Sequence, residues 1–125
     1  MRRSEITPEL IELSKRAKEL GFPQVMEKGD WFLIQDNDYK SGYSSPKLCE
    51  FFENNPNNVL ILSFSRCLEW LWERGWKIIT SGYPEYTRVT VGRKDGSINP
   101  EITKIAKTHH EAIAKAVVKI LEGEG

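Results

Sequence analysis

The sequence predicts a small α+β fold, a single domain over residues 1–125 in which antiparallel β-hairpins are layered with three main helices. Three observations lead there. Segments 8–20, 66–74 and 109–122 show helical spacing between capping residues. Residues 86–91 alternate apolar with polar. No strand-like run leads into the glycine-rich turn of a βαβ unit, so a parallel sheet is not indicated.

The first helix is placed at 8–20. Thr7 can cap it, Pro8 suits the first helical position where a missing N–H costs nothing, and Gly21 supplies a left-handed stop. Leu10, Leu13, Ala17 and Leu20 form its apolar stripe, and Glu12 can pair with Arg16 on the wet side. Residues 1–6 ahead of it read as a flexible arm. Phe22-Pro23 then sets an extended exit, and Trp31 to Gln35 read as a strand closed by the Asp36-Asn37-Asp38 turn.

Residues 39–58 fit either a short helix opened at Ser45-Pro46 or a strand, and the pattern does not choose. Asn54 to Asn58 form a turn before the short buried strand Val59 to Leu62. Ser65 is placed as the cap of a second helix, 66–74, which Gly75 ends before a strand from Trp76 to Thr80. After the turn 81–85, Thr87, Val89 and Val91 alternate with Tyr86, Arg88 and Thr90 along the returning strand. Asp95-Gly96 ends this hairpin, and the stretch to Lys107 reads as a loop pinned by Ile98, Ile102 and Ile105. Thr108 and Glu111 make a capping box for the last helix, 109–122, with Ala112, Ile113, Ala116, Val117, Ile120 and Leu121 inward and Glu111, Lys115, Lys119 and Glu122 opposite. Residues 123–125 read as a flexible end.

Composition limits the function classes. Apolar residues at 39% support a folded core, and 18 basic against 18 acidic residues leave no overall field that would select nucleic acid. No apolar run approaches the length of a membrane span, and the start of the sequence lacks a signal-peptide pattern, so a cytoplasmic protein without membrane partners is expected. Cys49 and Cys67 lack any CxxC context and read as reduced thiols.

Three segments resemble a family of small bacteriophage and prophage proteins: LSKRAKELGFPQ (13–24) followed by KGDWFLI (28–34), LSFSRCLEWLWERGWKI (62–78), and THHEAIAKAVVKILE (108–122). The later two also resemble the helix, hairpin, helix layout of a phage ABA sandwich domain. The resemblance implies a phage or prophage origin, hence a host-cell cytosol, and brings no catalytic residues with it.

Candidate sites follow from residue chemistry. His109 and His110 are adjacent, so on a helix they diverge by about 100°. They read as exposed first-turn residues whose imidazolium forms the helix N-terminus disfavours. Cys67 falls on the apolar side of the second helix and reads as buried rather than nucleophilic. No phosphate-cradling, metalloprotease or hydrolase motif occurs, so no catalytic, cofactor-binding or metal-ligating residue and no cofactor is nominated. The second helix carries Trp70, Cys67, Leu71, Leu68 and Trp72 over an apolar arc of roughly 200°, about twice what one packed side requires. Either the rest of the domain covers the second half of that arc, for instance segment 39–58, or a partner does; on the second reading Trp70, Trp72 and Trp76 are the candidate interface, toward a protein partner or a second copy of the chain. Tyr86, Arg88, Arg93 and Lys94, with Lys104 and Lys107, are the candidate anion or nucleotide patch, for nucleotide or nucleic acid. The leading expectation is a non-enzymatic accessory protein. A nucleotide- or nucleic-acid-binding module is its alternative, and an enzyme without a local motif is the third reading.

Overall fold

A computed structural model describes residues 3–25, 30–33, 39–41, 58–93 and 102–124. The fold is α+β, with antiparallel sheets and helices and no cis peptide bond among these residues. Contacts fall into two compact units, Met1–Ile61 and Leu62–Gly125.

In the first unit Arg3–Glu5 form a short 3-10 turn, and Ile6, within the arm expected at 1–6, is buried. Helix α1 is Pro8–Glu19. The Leu10 N–H donates to Thr7 Oγ1 at 3.1 Å, satisfying one of the donors a helix start leaves open. The other end is a Schellman closure: Gly21 N–H donates to Lys18 C=O (3.1 Å) and Phe22 N–H to Ala17 C=O (2.9 Å), with Gly21 at φ 101°. No atom lies near a Cβ built on Gly21, so Gly21→Ala meets backbone strain alone and is expected to lose about 1 kcal/mol in a urea melt.

The buried face of α1 is Leu10, Ser14 and Ala17, not the all-apolar stripe expected. Leu13 and Leu20 are only half-buried, while Ser14 is tolerated inside because its hydroxyl donates to Leu10 C=O at 2.8 Å. Ion pairs also differ from expectation, since Lys15 meets Glu12 and Arg16 meets Glu19, each three residues apart. These exposed pairs contribute little.

Strands β1 (Trp31–Leu33), β2 (Tyr39–Ser41) and β3 (Val59–Leu60) form an antiparallel sheet in the order β2-β1-β3. Phe32, in the middle strand, faces Lys40 on one side and Leu60 on the other and is fully buried. Helix α1 packs on β3. Gln24 joins the two, because its Oε1 accepts from Leu60 N–H (2.9 Å) while its Nε2 donates to Phe22 C=O (3.0 Å). Lys18 Nζ adds a 2.6 Å bond to Asn58 C=O. Of the ambiguous segment 39–58, residues 39–41 are strand, and 42–57 lie outside the described residues, as do Ile34, Gln35 and the 36–38 turn.

The second unit runs helix, three strands, helix. Helix α2 is Phe64–Glu73, and its cap is Ser63 rather than Ser65: Ser63 Oγ accepts from Arg66 N–H at 3.3 Å. Ser63 stands in extended backbone, which a cap requires, whereas Ser65 is already inside the first turn. Gly75, at φ 79°, closes the helix by donating its N–H to Trp72 C=O.

Strands β4 (Trp76–Gly82), β5 (Thr87–Arg93) and β6 (Ile102–Ala106) form an antiparallel meander. The expected loop to Lys107 therefore contains a strand. Ile102 faces Val91 and Ile105 faces Arg88, so the two isoleucines sit on opposite faces, and Ile105 is 52% exposed instead of pinning a loop. Ile98 and the 95–96 turn lie outside the described residues. Helix α3 is His109–Glu124, continuing to Glu124 past the expected end at 122, and it lies on β5 and β6 with α2 beside it. Val89 and Val91 of β5 and Ala112, Ile113, Ala116 and Val117 of α3 are fully buried, forming the core of this unit.

Candidate functional site

The two ends of α2 meet different surroundings. At its start, the Phe64 N–H donates to His110 Nδ1 at 2.9 Å, a side-chain cap supplied by α3. An accepting Nδ1 carries no proton, so the ring proton belongs on Nε2. His110 is only 5% exposed, and Glu111 only 2% exposed, which corrects the expectation that both lie on a wet first turn. Thr108 does cap α3 as expected, accepting from Glu111 N–H at 3.2 Å. The reason for the inward His110 is tertiary: the N-termini of α2 and α3 meet, bringing Phe64 against His109 in a tilted contact (centroids 5.2 Å) and His109 against His110 (4.0 Å, also tilted).

Along α2 the wide apolar arc is divided. Cys67, Trp70 and Leu71 are buried, Leu68 is half-buried, and Trp72 is 61% exposed. Burial pushes the Cys67 thiol far above its ordinary value by desolvating the thiolate, so it is no nucleophile. Cys49 lies outside the described residues. Trp70 is roofed by Arg74, whose guanidinium carbon sits 4.1 Å from the ring centre and whose Nη1 donates to Trp70 C=O at 3.5 Å. Trp76, at the start of β4, is buried as well. Of the three candidate tryptophans, then, two belong to the core and Trp72 alone faces outward. It stands over an open hollow lined by Trp72, Trp76, Lys77 and Ile78, where the last turn of α2 meets β4.

The second candidate surface is the hairpin between β4 and β5. Tyr83 N–H donates to Tyr86 C=O at 2.8 Å, which closes the turn and stacks the two rings with centroids 4.6 Å apart and planes 21° from parallel. Arg88 Nη2 donates to Tyr83 Oη at 3.1 Å, and its guanidinium lies 5.7 Å from the Tyr83 ring centre. Tyr86 and Arg88 are thus brought together as expected. Lys104 is half-buried opposite Val89 and does not join them, while Lys107 is exposed. Arg93 ends β5 with no side chain described, and Lys94 lies outside the described residues. Tyr83 was missed as a candidate. The Tyr-Pro-Glu-Tyr run held the signal, because a four-residue turn brings its first and fourth residues within about 7 Å.

Compared with known proteins, the chain matches no family model, no curated protein and no solved structure. No helix among the described residues is long and apolar enough to cross a membrane.

Proposed function

We propose that this chain is a non-enzymatic accessory protein of phage or prophage type that works by protein–protein contact or self-association, with Trp72 as its anchor. The observation that carries the reading is the 61% exposure of Trp72 beside a hollow that Trp76, Lys77 and Ile78 also line. An exposed indole on a helix whose Cys67, Trp70 and Leu71 are buried is unfavourable in water, and Trp is among the residues that most often dominate an interface. Among the described residues that line the hollow Lys77 is the one ionisable group, beside two indoles and an isoleucine, which suits docking better than proton transfer. The phage assignment rests on the sequence resemblance alone.

Size-exclusion chromatography with light scattering tests the self-association arm. The native chain should have at least a dimer's mass, and Trp72→Ser should weaken association by about thirtyfold, the loss typical of a hot-spot residue, with an unchanged circular dichroism spectrum. A native chain that stays monomeric, with Trp72 emission at the fully hydrated wavelength, would remove self-association as its mode of action.

A further inference from the structure

We propose that the outer face of the β4-β5-β6 sheet binds single-stranded nucleic acid, with a base on the Tyr83–Tyr86 stack and phosphates on Arg88 and Lys107. The register defines the face. Ile79, Thr90 and Thr103 form one outward row, and Ser81, Arg88 and Ile105 the next, since α2 and α3 pack on the opposite side. Exposures of 53% for Ile79 and 52% for Ile105 show that this face is bare. At its end the rows run into the tyrosine stack, with exposed Lys107 following Ala106 at the same end of the sheet.

Three features favour a nucleic acid over a protein as the occupant. A tyrosine pair stacked at 4.6 Å presents a flat π surface that any base can extend, and Tyr83 is itself 42% exposed. Arg88 is held by Tyr83 with one of its five N–H groups, so the exposed remainder of the fork is aimed in advance and costs little ordering on meeting a phosphate. Neither outward row contains a carboxylate, although the whole chain is neutral, so positive charge is concentrated locally. Glu85, exposed in the turn, is the nearest acid in sequence and confines the phosphate path to the Arg88 side of the stack. A single strand fits because its bases are free to stack, whereas duplex DNA hides them.

Fluorescence anisotropy of the full chain with a labelled oligothymidylate of about 16 nucleotides tests this. Two phosphate contacts on a single strand give a salt slope near −1.4, so binding should weaken about sevenfold between about 50 and 200 mM salt. Tyr83→Leu should weaken it at least about tenfold, Tyr83→Phe should keep the stack and lose only about two- to threefold as Arg88 is released from the Tyr83 hydroxyl, and Lys119→Ala, exposed on α3 away from this face, should bind as the native chain does. Unlabelled oligothymidylate should compete and polyphosphate of equal charge should compete poorly. No binding at either salt, equal competition by polyphosphate, or a Tyr83→Leu protein with native secondary structure and undiminished affinity would each overturn the proposal. Failure of the Trp72 reading leaves these outcomes unaffected.

Discussion

His110→Ala is expected to destabilise the protein by about 2–4 kcal/mol, read as a lower urea midpoint with an unchanged slope. Two losses add. The Phe64 N–H at the first turn of α2 loses its 2.9 Å acceptor in a partly buried place, and an orphaned donor costs about 1–3 kcal/mol. Removing a side chain that is 95% covered also leaves a cavity between the starts of two helices. His110→Asn separates the terms, because its side-chain oxygen offers an acceptor at nearly the position of Nδ1. It should recover about 1 kcal/mol over alanine. Equal losses for Ala and Asn would show that His110 acts by volume alone.

The largest effect in the first unit is expected from Phe32→Ala, at about 3–5 kcal/mol by the same measurement. Its strands are short, three residues in β1 and two in β3, so little of the sheet's stability can come from ladder hydrogen bonds. Phe32 is fully buried in the middle strand, between Lys40 and Leu60. Phe32→Leu keeps most of the volume and should lose under half as much. A loss under about 1 kcal/mol for alanine would mean that the sheet is held from elsewhere.

Local signals were legible in the sequence because they act over three or four residues. The Thr7 and Thr108 caps, the Gly21 and Gly75 stops and the Val89/Val91 alternation all stand where spacing placed them. The Ser63 cap was misplaced by two residues because Ser65 satisfies the same local rule. Strand β6 was hidden for another reason. Its isoleucines, Ile102 and Ile105, stand three apart and so give no strand alternation, and only pairing with β5 makes the segment a strand.

The candidate sites divide along the same line. A helical wheel gave α2 a wide apolar arc, yet it could not say which part α3 and β4 would cover. Coverage took Trp70, and the early position took Trp76, leaving Trp72. Arg88 and Tyr86 were legible as neighbours on one wet strand face, whereas Tyr83 joined them only through closure of the turn.

By itself the sequence determined the α+β class, the three helices and most of their caps and stops, the dry and wet faces of β5, and the absence of a strong overall field. These follow from spacing, backbone preference and charge count, all read along the chain. Tertiary structure alone decided that His110 caps another helix, that Glu111 and Ser14 lie inside, that β6 is a strand, and that Trp72 and the tyrosine stack face outward. Each of those depends on which surfaces meet across long stretches of chain, and burial is a property of the meeting rather than of either partner.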